Sequence, residues 1–198
     1  MAERARPSVW LGGGARTAVA LSLACALGCG ASTTGPTGSP AAEATTPAEP
    51  EDPRLTGVLS AHNQARAGAT PAPATPLRPL SWSDGDAQVA RAYAEKCAFT
   101  HNPDRGARGE NLYAATASTP IAEVVKSWAS EAASYDYASG SCNGMCGHYT
   151  QLVWADTTHV GCAVKACTTN SPFPGRGSWE LWVCNYSPPG NFVGKKPY

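Results

Sequence analysis

Apolar residues in the first half of the chain recur at the spacing of a helix. The first such stretch follows Asp52-Pro53, a good N-cap with a residue suited to the first helical turn, and stops at Gly68. Its stripe consists of Leu55, Leu59, His62 and Arg66. The spacing predicts a helix in which His62 faces the core beside the leucines.

The same spacing predicts two further helices. One begins after Ser83, with Asp86 three residues on as in a capping box, and its inner face holds Val89, Tyr93 and Cys97. The other starts at Thr119-Pro120 and has an apolar stripe of Ile121, Val124, Val125 and Trp128. Glu131 continues that stripe at the next turn, where another apolar residue is expected.

After Cys146 the pattern changes to short runs rich in Val, Leu and Trp, which are typical of strands. We predict strands at 151–154, 159–165 and 179–186, with the Pro/Gly stretch 172–177 joining the last two. Helices come first and strands last, so the sequence predicts an α+β domain in which a sheet packs between helical layers.

The first 29 residues read as a secretory signal peptide. Arg4, Arg6 and Arg16 give a basic start, and an uncharged, mostly apolar stretch at 17–27 follows. That stretch is shorter than the roughly 20 apolar residues that span a bilayer. Cys29 lies directly after small-residue positions, so a lipoprotein signal with Cys29 as the lipidated residue is an equal alternative to simple cleavage.

Residues 30–53 contain no aromatic and no long aliphatic side chain. Such a segment buries too little apolar surface to offset the entropy of ordering it, so we predict a disordered linker rich in Ala, Thr and Pro. The folded domain then covers 54–198. We expect a protein that is secreted or held at the outer cell surface, where contact with a membrane comes only through a lipid on Cys29.

Six cysteines lie in the domain, and an even number in an exported chain predicts three disulfides: Cys97, Cys142, Cys146, Cys162, Cys167 and Cys184. None of them shows the paired spacing of a zinc finger. Without the signal peptide, 12 basic and 14 acidic residues remain and no basic run occurs, which argues against a nucleic-acid partner. We expect a monomer.

Five motifs give the chain a family resemblance. Gly147–Trp154 and Val183–Phe192 are long and highly specific, and three shorter motifs accompany them: His62-Asn63 with Arg66, Gly109-Glu110-Asn111-Leu112, and Trp128 with Glu131 and Tyr135. In this order they resemble the CAP superfamily, and most closely its plant pathogenesis-related 1 branch. The resemblance covers about 55–198, whereas the leader and its linker look bacterial.

The resemblance implies a three-layer α-β-α sandwich. It also implies the disulfide pairings Cys97–Cys167, Cys142–Cys146 and Cys162–Cys184, which sequence alone cannot select among the fifteen ways of pairing six cysteines. By the same resemblance, the two histidines and two glutamates that line the family's large cleft correspond to His62, His148, Glu110 and Glu131.

Two neutral imidazoles are good ligands for Zn²⁺, so His62 and His148 are the predicted metal ligands. Glu110 and Glu131 would orient the imidazoles or bind the metal's water molecules. A purely structural role for the four residues is the competing interpretation. His101 also has a family counterpart, and we expect it to hold the loop that presents Glu110.

A binding module is the leading functional hypothesis. Its cleft would take a divalent metal such as zinc, and a small amphipathic molecule such as a lipid or a cell-envelope component. The alternative is a metal-dependent hydrolase of peptides or cell-wall polymers, since a metal-bound water beside a carboxylate is hydrolytic chemistry in outline. A passive surface protein that contacts other proteins is a third hypothesis. No Gly-x-Ser-x-Gly elbow and no His-Glu-x-x-His motif occurs.

Overall fold

The computed structural model describes residues 50–198, so the predicted signal peptide and most of the predicted linker lie outside the described residues. The four α-helices in this range are α1 Val58–Ala67, α2 Asp84–Ala94, α3 Ile121–Ser130 and α4 Gly147–Leu152. The strands are β1 Ser81–Trp82, β2 Gly109–Ala115, β3 Tyr135–Asp136, β4 Ser141–Cys142, β5 His159–Cys167 and β6 Trp179–Ser187.

Four strands form the central sheet in the order β1-β5-β6-β2. β5 and β6, which correspond to the last two predicted strands, pair antiparallel, and β1 pairs with β5 in parallel. β2 pairs antiparallel with β6 and forms one edge of the sheet. β3 and β4 make a separate two-stranded ribbon.

The sheet lies between two helical layers, as an α-β-α sandwich requires. On one face α2 packs against alternate residues of β5 and β6, including Ala163, Leu181 and Val183. The opposite face carries α1, α3 and α4, and the intervening sheet residues point into that core: Val160, Cys162, Val164, Trp182, Cys184 and Tyr186. This alternation is the period of two that a strand imposes on its side chains.

The predicted helices form, with one shift at the start. Asp52 caps a short 3₁₀ turn at Pro53–Leu55, and the α-helix proper begins only at Val58, after Gly57 with a φ of 85°. Ser83 caps α2 by accepting a hydrogen bond from the Asp86 N–H at 3.1 Å. Asp86 does not complete the capping box, because its carboxylate binds Arg108 and Ser187 instead.

The prediction of a strand at 151–154 is wrong. Residues Gly147–Leu152 form α4, a helix of six residues. The run is buried and its carbonyl groups find partners elsewhere: the Arg66 guanidinium donates to the carbonyls of Leu152 and Trp154 at 2.8 and 2.9 Å. A short apolar run with no alternation is ambiguous between a buried strand and a buried helix.

The three predicted disulfides are present. Cys97–Cys167 joins the end of α2 to the end of β5, and Cys162–Cys184 bridges directly opposed residues of β5 and β6. Cys142–Cys146 closes the loop that leads into α4. Two of the bridges therefore attach to the central sheet, and the third holds the loop before α4.

Two glycines allow close packing beside the central sheet. A Cβ at Gly161 would lie 2.1 Å from the Ala87 backbone N, so a side chain there would push α2 away from β5. A Cβ at Gly109 would lie 2.0 Å from Oε1 of Gln151, where α4 rests on the start of β2. Within 50–198, none of the helices has the length and apolar character needed to cross a membrane.

Candidate functional site

The first histidine–carboxylate pair joins α4 to the end of α3. His148 Nδ1 lies 2.6 Å from Glu131 Oε1. The second carboxylate oxygen, Oε2, accepts hydrogen bonds from the backbone N–H groups of His148 and Tyr149 at 3.0 and 3.3 Å. The ring of His148 also stacks on Trp128, with centroids 6.0 Å apart. Glu131 therefore fixes both the start of α4 and the orientation of the His148 ring.

The second pair lies at the sheet edge. His101 Nδ1 is 2.8 Å from Glu110 Oε1, which also accepts the Asn102 N–H at 2.9 Å. His101 was expected to hold the loop that presents Glu110, and in the structure its ring contacts the Glu110 carboxylate directly. The Glu110 side chain is only 1% exposed, and its Oε2 has no hydrogen-bond partner in residues 50–198. A buried carboxylate oxygen of this kind needs a donor or a cation.

The two pairs flank the same stretch of β2. Glu110 points to the face of the sheet that carries α2, as Leu112 does. Its neighbour Asn111 points to the opposite face, where its Nδ2 donates to the His148 carbonyl at 3.1 Å. The two His–Glu pairs therefore approach the sheet edge from opposite layers of the sandwich.

His62 is not a member of this group, and its predicted role as a metal ligand needs correction. It is completely buried, as the helical stripe predicts. Its Nδ1 donates to the Val58 carbonyl at 2.8 Å, and its Nε2 lies 3.0 Å from the Tyr186 hydroxyl. Both ring nitrogens are used inside the core, so neither offers a lone pair to an ion in the cleft.

One histidine–cysteine group has the spacing of a metal site without its chemistry. A ring nitrogen of His62 and the sulfurs of Cys162 and Cys184 lie within 4.8 Å of one another. The two sulfurs are joined as a disulfide, and zinc requires thiolates. The group is a packing contact between α1 and the β5–β6 bridge.

Burial also shifts the titration of the groups around His62. The pKa of His62 is lowered from 6.5 to about 4, mainly by burial and in small part by the nearby Arg66 charge, and the hydrogen bond to Val58 opposes both effects. Burial raises the pKa of the Tyr186 hydroxyl well above its usual value. His62 and Tyr186 are therefore both neutral at physiological pH.

A cleft runs along the open side of β2. Its volume is about 340 Å³, and its floor is formed by Leu112, Tyr113 and Ala114. Its walls contain Glu131 and His148 together with apolar side chains from three connecting segments, namely Phe99, Met145 and Phe173. Phe99 and Met145 are 43% and 64% exposed. Exposed apolar side chains that gather around polar groups are typical of a binding site.

The comparisons with known proteins agree with this fold. The profile of the cysteine-rich secretory protein family, CAP, matches residues 59–186. Peptidase inhibitor 16 of Mus musculus is 43% identical over 153 residues, which are 75% of this chain and 30% of that protein. Pathogenesis-related protein 1 of Arabidopsis thaliana is 37% identical over 144 residues, 71% of this chain and 80% of that protein.

A solved structure, described as NaASP2 with Zn²⁺, superposes with a TM-score of 0.59 at 25% identity, and the match covers 73% of this chain and 84% of that one. The family profile spans more than half of the 198 residues. The chain is therefore an extracellular protein of the cysteine-rich secretory protein (CAP) family.

Proposed function

We propose that a divalent cation, Zn²⁺, binds at the edge of the sheet beside β2, with His101 and His148 as its protein ligands. The observation that carries the proposal is the paired geometry: each Nδ1 is held by a glutamate, at 2.8 and 2.6 Å. A histidine that ligates a metal usually donates its other ring N–H to a carboxylate in this way. In both rings Nε2 is left with the lone pair that zinc requires.

The surrounding donors fit such an ion. The unpartnered Oε2 of Glu110 is a buried negative group beside one of the two histidines, and a metal-bound water would supply its missing hydrogen bond. Two imidazoles leave open coordination positions, so bound zinc would present a water molecule or an anionic ligand group to the cleft. The similarity to a structure described with Zn²⁺ adds support.

The test is zinc titration of the folded domain by calorimetry. We expect His101→Ala and His148→Ala each to weaken zinc binding at least about tenfold, the effect typical of losing a ligand or its orienting partner. The matched control is His159→Ala, which removes an exposed histidine at the start of β5. It should leave the affinity unchanged.

Two results would reject this proposal. The first is unchanged zinc affinity in both ligand variants while each remains folded by circular dichroism. The second is an equal loss of affinity in His159→Ala, which would indicate nonspecific binding to surface histidines.

Glu110→Gln should weaken zinc binding less than His101→Ala does, because the amide still accepts the Asn102 N–H.

The hydrolase alternative has weaker support. It needs Glu131 as a base that is free to take a proton from water. Both oxygens of that carboxylate already accept N–H groups, from the His148 ring and from the first backbone amides of α4. The binding role uses these contacts as they are, whereas a base would have to break one of them.

A second ligand, a single acyl chain, is favoured by a groove between α1 and α3 of about 400 Å³. Its walls are mostly small or apolar, with Gln64, Glu123 and Lys126 as the polar members: Ala61, Gln64, Ala65, Ala122, Glu123, Val125, Lys126 and Ala129. An acyl chain lying on the alanines would place its anionic head near Lys126, whose ammonium group would exchange its exposed contact with Glu123 at 3.3 Å for the head.

Calorimetry with dodecanoate tests this second proposal. Ala65→Phe fills the groove and should abolish binding, whereas Ala92→Phe on the exposed face of α2 adds the same ring elsewhere and should not. Equal binding by the two variants would remove the groove as the lipid site.

A further inference from the structure

The open edge of β2 carries main-chain groups that the sheet does not use. The Leu112 carbonyl accepts a hydrogen bond from Trp128 Nε1 at 3.0 Å, so this carbonyl points away from β6. Alternate residues of an antiparallel strand direct both of their main-chain groups to the same side. The N–H of Leu112 and the N–H and C=O of Ala114 therefore also point away from β6.

These groups face the cleft. Leu112, Tyr113 and Ala114 form its floor, and Tyr113 and Ala114 are partly exposed. Within residues 50–198, the N–H groups of Leu112 and Ala114 and the carbonyl of Ala114 have no hydrogen-bond partner outside the β2–β6 ladder. An unpaired strand edge of this kind is a template for another extended chain.

The two walls of the cleft differ in chemistry. On the face that carries α2, Phe99 and Phe173 provide an apolar wall, and Phe99 packs edge-on against Trp179. On the opposite face, Glu131 and His148 provide a polar wall with a carboxylate. Successive side chains of an added strand would meet these two walls in turn.

We propose that the cleft binds an extended polypeptide segment of another protein by adding it as a strand to β2. The N–H of Leu112 and the N–H and C=O of Ala114 pair with the segment's backbone, while the Leu112 carbonyl keeps its hydrogen bond from Trp128. An apolar side chain lies against Phe99 and Phe173, and the next side chain, a basic one, lies toward the Glu131 carboxylate. Strand addition of this type takes its affinity from the main chain and its specificity from alternate side chains. The proposal does not depend on zinc.

The probe is the capped pentapeptide Thr-Phe-Lys-Phe-Thr, titrated into the ¹⁵N-labelled domain in the presence of EDTA. We expect the amide signals of Leu112 and Ala114 to shift and to become protected from hydrogen exchange. The amides of Asn111 and Tyr113, which the alternation assigns to the β6 ladder, should respond less.

N-methylation of the probe gives a matched pair of controls. One version is methylated at both Phe residues and the other at the Lys. Because only alternate amides of an added strand point toward β2, one version should lose at least about tenfold in affinity, roughly one to two hydrogen bonds, and the other should bind as before. Both versions have the same side chains and the same charge, and they differ by one methyl group.

Two protein variants complete the test. Ala114→Pro removes an N–H that the ladder does not need, so it should abolish binding without unfolding the edge strand. If this variant fails to fold, Phe99→Ser is compared with Val193→Ser, since Val193 is fully exposed outside the cleft. Only Phe99→Ser should weaken binding.

Three outcomes would overturn the proposal. One is the absence of any shift at Leu112 and Ala114 up to the solubility limit of the peptide. Another is equal binding by the two N-methylated peptides, since strand addition requires them to differ. The third is a set of shifts centred on α1 and α3, which would place the peptide in the helical groove.

Discussion

His62 shows how one buried side chain controls the response of the domain to acid. Its ring is neutral in the folded state, where its pKa is about 4, and it takes up a proton near pH 6.5 once unfolded. The unfolded chain therefore binds more protons between these values, and stability falls as the pH drops through this window. The contribution amounts to about 3 kcal/mol and is complete near pH 4.

Urea unfolding from pH 7 to pH 4 checks this expectation against His62→Gln. The variant loses stability at neutral pH, because its amide cannot reproduce both hydrogen bonds, but its stability should depend less on pH. Parallel curves for the two proteins would show that other groups account for the acid response.

There is a physical reason why the sequence pointed to His62 as a site residue, whereas His101 is the histidine that contacts Glu110. The helical stripe correctly predicts that His62 is buried, but it does not show that Val58 and Tyr186 occupy both ring nitrogens. His101 lies in an irregular loop with no periodicity, so its contact with Glu110 depends on where β2 is placed. The sequence did contain a sign that His62 is not a cleft residue. It lies among the leucines of the buried stripe, and a position in the core seldom opens to a cleft.

At the scale of elements, Arg66 links α1 to the segment that follows α4. Its buried guanidinium has no carboxylate partner within residues 50–198 and donates to four carbonyl groups: Arg78, Leu152, Trp154 and Thr157, at 2.9, 2.8, 2.9 and 3.4 Å. Burial lowers the pKa of Arg66 to about 10, and the group stays charged at neutral pH. The fixed fork of an arginine suits several acceptors at once.

Arg66→Met should therefore cost about 3 kcal/mol of unfolding free energy, because buried carbonyls lose their donor. Arg91→Met, on the exposed face of α2, should change the free energy by less than about 0.5 kcal/mol. Chemical denaturation of both variants measures the difference. Comparable losses in the two would mean that the guanidinium contacts add little.

The helices and strands differ in how well the sequence predicts them. The helices α1 to α3 and strands β5 and β6 follow from clear periodicity, and their predicted bounds are close to the observed ones except for the start of α1, which lies at Val58 and not at Pro53. α4 was missed because its run of apolar residues has no alternation and its carbonyls depend on Arg66, 86 residues earlier in the chain. β2 was found only as a motif, since its edge position is set by β6.

For the whole molecule, the three disulfides should contribute unequally. Cys97–Cys167 closes a separation of 70 residues, whereas Cys142–Cys146 closes one of 4. In the chain-entropy picture the first contributes about 4 kcal/mol and the second about 2 kcal/mol. Replacing each pair by alanines and measuring the melting temperature by calorimetry should give the larger drop for Cys97–Cys167. An equal or reversed order would contradict the entropic account.

The floor of the cleft is part of the central sheet, whereas much of its wall consists of side chains from loops. The wall residues Phe99 and Met145 come from loops and are largely exposed, and Phe173 rests only partly buried on the α2-side core. Natural variants or directed libraries can therefore change Phe99 and Met145 with little effect on the sandwich. A single scaffold of this design is suited to diversification: relatives that recognise unrelated molecules can share one backbone.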